Sequence, residues 1–192
     1  MTDQLAYSDL LVALESTGAK LDWPGVIEIA IVGGAAGMLL GLWPGERVTE
    51  DVDIAEISPP SQPRGALLLA AREMAEELGL SPHWLNDDFL SFGSLDTLPD
   101  GWRARSVRIG SYGNLRVICP CRRDLLAMKV YAGRPQDIED VLSCATQLSA
   151  EDLAHIRAYL ESLRASHRRN IAPEQLDRAF SVLEVLREER RS

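Results

Sequence analysis

Residues 26–32 constrain the fold more than any other stretch: they are apolar and largely β-branched apart from Glu28, and Gly33-Gly34 closes them. Such a run predicts a buried strand, and the diglycine predicts a tight turn that hands the chain to a short helix over 35–42, stopped at Trp43-Pro44-Gly45. A buried strand needs neighbours. Residues 48–54 (Val-Thr-Glu-Asp-Val-Asp-Ile) alternate apolar and polar side chains and predict a second strand with one polar face. Two more strands are expected over 103–109 and 115–119, joined by a turn-rich loop at 110–114, and residues 83–100 read as irregular.

The remaining pattern is helical. Leu5, Leu10, Leu11 and Leu14 recur at helical spacing around Ser8, predicting a helix over 4–17, and 65–80 is rich in Ala, Leu, Glu and Met. Beyond Pro120, helices are expected over 122–132, 136–147, 150–165 and 174–190, the third opened by Ser149-Ala150-Glu151-Asp152 and the fourth by Pro173. The expected class is α/β (α+β): a mixed sheet with flanking helices, then a C-terminal helical region. The division read from the pattern is an α/β core of 1–121 and a helical region of 122–192 packed on it.

Charge is unevenly spread along the 192 residues, whose net charge is -9. Residues 1–100 carry 17 acidic and 4 basic side chains, whereas 103–134 carry 8 basic and 1 acidic. Either these two surfaces neutralise each other or the basic segment holds a polyanionic substrate. Overall acidity argues against a general nucleic-acid binder but leaves a nucleotide open. Cys119, Cys121 and Cys144 fit neither an even disulfide framework nor a Cys-x-x-Cys pair. The acidic start is unlike a leader, and the longest uncharged stretch, 29–45, is broken by glycines and a proline and is shorter than a membrane span. The expectation is a soluble cytoplasmic protein with no membrane partner.

Two features carry chemistry. A strand that delivers glycines to a helix start exposes amides that can hold phosphate, although glycines there also serve packing. Asp51 and Asp53 lie two residues apart, so on a strand they share one face about 6 to 7 Å apart and can converge on magnesium; the alternative is a solvated strand face. His83, His155 and His167 lack the spacing of a helical metal site, and the Arg164, His167, Arg168, Arg169 run suits a helix C-terminus.

Taken together, Gly33-Gly34, the intervening helix and Thr49-Glu50-Asp51-Val52-Asp53-Ile54 resemble the signature of the polymerase-beta-like nucleotidyltransferase superfamily. The flavour is that of AbiEii-type and related bacterial nucleotidyltransferase-like proteins, with Arg47 and Thr49 in the middle of the motif. Residues 124–141 are similar to the helical Lys, Arg, Asp and Asp segment that follows the catalytic sheet in these proteins, and Trp84-Leu85-Asn86-Asp87 is similar to a further short element. The resemblance implies that Asp51 and Asp53 are catalytic and bind Mg²⁺ (or Mn²⁺), and that Gly33, Gly34 and Lys129 bind the nucleotide. It implies transfer of a nucleoside monophosphate from an NTP to a hydroxyl of RNA, protein or a small molecule.

Lys129 has two readings, a phosphate contact or a salt bridge, and Arg134 is expected to pair with Asp137 or Asp140. The chain also departs from the pattern. Residues 101–123 contain no Asp or Glu, so the later strands supply no third carboxylate, and Asp87, Asp88, Asp96 and Asp100 are the stand-ins. The turn is Gly-Gly where a hydroxyl-bearing residue is often found. The alternative function is therefore a catalytically incomplete nucleotide-binding protein that partners a cognate toxin or antitoxin, or acts in defence.

Overall fold

A computed structural model describes residues 4–43, 47–59, 63–91, 97–166 and 171–190. Pro44-Gly45, Asp96 and the His167 to Arg169 run lie outside these residues. The strands are β1 (Ile27–Ile31), β2 (Val52–Ser58), β3 (Leu85–Asn86), β4 (Val107–Tyr112) and β5 (Leu115–Cys119). They form one mixed sheet in the order β3-β2-β1-β5-β4, with β1 antiparallel to β2 and parallel to β5. The helices are α1 (Tyr7–Lys20), α2 (Gly33–Leu39), α3 (Arg64–Leu78), α4 (Asp88–Ser91), α5 (Trp102–Arg105), α6 (Arg122–Ala132), α7 (Pro135–Ser143), α8 (Ala150–Ala165) and α9 (Pro173–Glu189). The fold class is thus a mixed α+β sheet with flanking and C-terminal helices. Among the described residues, no helix is long and apolar enough to cross a membrane.

Two expected strands shift. The second starts at Val52, not at residue 48, because Thr49 pairs with Leu5: Leu5 N–H donates to Thr49 O at 2.7 Å and Thr49 N–H to Leu5 O at 3.0 Å. Sheet pairing begins where Val52 N–H reaches Trp84 O at 2.6 Å, and the apolar run to Ile57 carries the strand on to Ser58. The strand expected over 103–109 starts at Val107, since 102–105 coil into α5 after Gly101, whose φ is +70°. The loop expected over 110–114 tightens to Gly113-Asn114, with Gly113 at φ +56°.

Strand alternation gives the sheet two unlike faces. Ile27, Ile29 and Ile31 of β1, Val52 and Ile54 of β2, and Leu115 and Val117 of β5 bury into a core shared with α1, α3 and the C-terminal helices. The opposite face has two small clusters, one of Ala30, Ile118 and Trp102, the other of Val32, Ala55 and Met128 with Phe89 against it. Asp53 shares this second face with Ala55, between two core residues. In the rear helices, Ser149 and Asp152 cap α8 reciprocally, with Asp152 N–H to Ser149 Oγ at 3.0 Å and Ser149 N–H to Asp152 Oδ2 at 2.8 Å. Prolines occupy the first turns of α7 and α9.

Helix α2 is held at a fixed height by Trp43, whose indole N–H donates to Gly34 O at 3.2 Å while its ring lies on Gly37. A Cβ at Gly37 would fall 2.0 Å from that ring. Gly37→Ala is expected to displace Trp43 and destabilise the protein by about 1–3 kcal/mol. Thermal unfolding should show this as a fall in Tm of roughly 2–4 °C per kcal/mol.

Candidate functional site

Helix α2 starts at the diglycine itself. Gly33 takes φ +71°, a left-handed conformation that glycine adopts freely, and it passes so close to β2 that a Cβ there would stand 3.1 Å from Asp53 Oδ2. Gly34 lies beside Thr49, whose Oγ1 would be 3.4 Å from a Cβ at that position. A hydroxyl therefore stands next to the turn even though the turn is Gly-Gly. The Thr49 hydroxyl donates to Asp51 O at 2.9 Å, which fixes the bend by which Asp51 enters β2.

Asp51 precedes β2 and stays open to solvent on one side, whereas Asp53 is a partly buried strand residue. The two residues border different hollows, while the Asp51 charge still acts on Asp53. Asp51 lines a polar cleft of about 630 Å³ with Glu50, Arg64, Arg72, His83 and Asp88. Asp53 and Gly33 line a cavity of about 410 Å³ whose apolar wall is Val32, Phe89, Leu125, Met128 and Tyr131. Thr97, Lys129, Arg134, Asp137 and Gln175 complete its polar border.

Both carboxyls hold their protons more tightly than ordinary aspartates. For Asp51 the causes are partial burial, then the charges of Glu50 and Asp88, opposed by Arg134. For Asp53 they are burial, then the charge of Asp51, opposed by a hydrogen bond from Asn86 and by Arg134, with Asp88 adding to the rise. Asn86 is in place because β3 pairs with β2 in parallel, Asp53 opposite Asn86. Of the stand-in carboxylates, Asp88 acts electrostatically on both aspartates, and Asp87 is buried in an ion pair with Arg64. Among the described residues, no group of three His, Cys, Asp or Glu side chains is arranged to hold a metal ion.

Behind the cavity lies a network of buried charge. Lys129 Nζ, 4% exposed, donates to Asp137 Oδ1 at 2.8 Å and to Asp140 Oδ2 at 2.7 Å, and it stands 5.3 Å from the centre of the Trp43 ring. Arg134 Nε donates to Asp137 Oδ2 at 2.6 Å, while its exposed guanidinium remains within electrostatic reach of Asp51 and Asp53. Arg47 grips Asp140 with two hydrogen bonds, Nε to Oδ1 at 3.1 Å and the guanidinium terminus to Oδ2 at 3.3 Å. Burial alone would raise the Asp137 pKa, but hydrogen bonding from Arg134 and the charge of Lys129 outweigh it and hold it below the usual carboxylate range. Lys129 thus borders the cavity with its ammonium already engaged twice. The residues that sequence reasoning passed over as site members are Thr49, Asn86, Arg134 and Gln175. Of these, only the first three lie in motif segments and carried a signal.

The basic segment is largely neutralised from within. Arg103 pairs with Glu28 and Glu56, Arg105 with buried Asp124, Arg116 with Glu28, and Arg123 with Glu151 and Asp152. His155 also reaches Asp124, at 2.8 Å.

Two outcomes follow from these charges. Lys129→Ala leaves Asp137 and Asp140 buried without their shared cation and should cost about 3–5 kcal/mol in denaturant unfolding at neutral pH. The Asp137 pKa is depressed, so the stability tied to its charge is present above the ordinary carboxylate range and is lost as pH falls through its lowered value; the gap between variant and wild type should narrow there. The Asp51 and Asp53 pKa values are raised, so their charge opposes folding at neutral pH and that burden vanishes below the ordinary carboxylate range. The double variant Asp51→Asn, Asp53→Asn should therefore melt higher than wild type in metal-free neutral buffer, with the advantage fading in acid. Millimolar Mg²⁺ should raise the Tm of the wild type and leave the double variant unmoved.

No curated protein and no solved structure matches the chain significantly. A family profile, described as a nucleotidyltransferase of unknown function (DUF6036), matches residues 11–182. That match spans the sheet, the glycine turn, both aspartates and the charged helical block. The chain belongs to this nucleotidyltransferase family.

Proposed function

We propose that this protein transfers a nucleoside monophosphate from an NTP to a hydroxyl acceptor at the junction of α2 and β2. The observation that carries this reading is the approach of Gly33 to Asp53, so close that a Cβ added at Gly33 would stand 3.1 Å from Asp53 Oδ2, in the wall of a largely apolar cavity of about 410 Å³. That volume suits a nucleoside, and the first amides of a helix lack intrahelical partners and so are free for phosphate oxygens. Gly33 and Gly34 would hold the triphosphate, aided by the Thr49 hydroxyl, and the exposed Arg134 guanidinium would offset its charge. Lys129 would act through its field and through the two aspartates it anchors.

The donor set of Asp51 and Asp53 fits a divalent cation, because two oxygen-rich groups that burial and mutual repulsion make reluctant to ionise are relieved by a positive ion. Mg²⁺ or Mn²⁺ held there would neutralise charge on the reacting phosphate. In the reaction, the acceptor oxygen bonds to the α-phosphorus as the bond to the bridging oxygen breaks, so pyrophosphate leaves with the electron pair and the hydroxyl proton is released. The acceptor enters by the polar cleft that Asp51 lines. We place the reaction in the cytoplasm and infer a kinship with AbiEii-type proteins from the Arg47, Thr49 and Lys129 pattern.

A second reading is a nucleotide-binding partner in a toxin–antitoxin or defence pair. Its support is the absence of a third ligating carboxylate among the described residues and from the sequence of 101–123. Incubation with each α-labelled NTP, Mg²⁺ or Mn²⁺ and total RNA or protein separates the two. Covalent label in the wild type, lost by at least about a hundredfold in Asp53→Ala with NTP affinity little changed, is the expected enzyme result. Binding without label would favour the second reading, and no binding at low salt would remove both.

A further inference from the structure

Gln175 is in the first turn of α9, and its side-chain Nε2 donates to Tyr131 O at 3.0 Å and to Ala132 O at 3.4 Å. Those carbonyls belong to the last turn of α6, where no following helical amide satisfies them. Two acceptors in front of one amide settle its orientation: only the NH₂ end can face them, so Oε1 points away from the end of α6. Gln175 also forms part of the wall of the 410 Å³ cavity, and among the described residues its Oε1 accepts no hydrogen bond. The cations on the same wall are engaged with a carboxylate, Lys129 and Arg134 both with Asp137.

We propose that Gln175 is a specificity-determining residue: its Oε1 accepts a hydrogen bond from the exocyclic amine of an amino-bearing nucleobase, adenine or cytosine, and disfavours bases with a keto oxygen at that position. The inference rests on the nucleotide reading above and deepens it. A base entering between Leu125, Met128 and Tyr131 sheds the water on its edge. An amine recovers that loss against Oε1, whereas a keto oxygen meets another acceptor and leaves both unsatisfied. Discrimination of this kind is worth about tenfold or more in affinity. Because the donor end is used to anchor α9 to α6, the acceptor end of Gln175 is left for a ligand in the cavity that this residue helps line.

The test is equilibrium binding to the full chain at low salt with Mg²⁺, using pairs that exchange the amine for a keto oxygen on the same ring: ATP against ITP, and CTP against UTP. Wild type should prefer ATP over ITP, CTP over UTP, or both, by about tenfold or more, and the comparison of ATP with CTP identifies the ring. Gln175→Met keeps the bulk and removes the acceptor, so each preference should fall to within about twofold. A role confined to capping α6 would instead lower Tm and weaken all four nucleotides alike. Equal binding within both pairs by wild type would overturn the inference while leaving the nucleotide reading intact, as would a keto preference or a preference that survives in Gln175→Met. If the variant does not fold, the wild-type pairs decide. No binding of any of the four would remove the nucleotide reading together with the inference.

Discussion

The contact on which the site depends is the ammonium of Lys129 between Asp137 and Asp140, all three buried. Removing charge from water this completely is tolerated only when each partner is satisfied, and here each aspartate has a second cation, Arg134 or Arg47. That double use ties three segments together. Arg47 belongs to the stretch leading into β2, Lys129 to α6, and Arg134 to the α6–α7 corner that faces Asp51 and Asp53. Pairing of this kind contributes less to net stability than to uniqueness of arrangement, because a shifted helix would strand a charge.

The site occupies the second sheet face because the first is used up. Strand periodicity sends the isoleucines of β1 and the flanking residues of β2 into the core, leaving Asp53 and Ala55 opposite. There Met128 of α6 and Trp102 of α5 cover the sheet only in part, and the uncovered remainder is hollow. The same geometry explains the charge asymmetry. Its basic residues meet the acids of the front half and of α8 across the fold, so much of what reads as a polycation along the sequence is internally balanced.

Much of this was legible in the sequence, and the failures have physical causes. The α6 and α8 helices were readable to the residue, since their caps and apolar spacing are local features. The start of β2 was not, because Val48 to Asp51 alternate as a strand does and only the distant pairing of Thr49 with Leu5 withdraws them. The nearness of Gly33 and Asp53 was inferable as a strand-turn-helix beside a neighbouring strand. That Asp51 and Asp53 border different hollows was not, because it depends on where the strand begins. Thr49 beside Gly34, and Gln175 at the end of α6, required a tertiary structure: nothing near residue 175 in the chain announces a partner 43 and 44 positions earlier.

The Arg47–Asp140 grip spans 93 positions of sequence. A chain leaving the ribosome has the glycine turn and both aspartates long before it has Asp140, and it must close that large loop, at an entropic cost, before Arg47 is drawn into place. During synthesis the candidate site is therefore among the last parts of the molecule to take shape, and an incomplete chain ending before α7 carries the motif without the charged clasp that organises it.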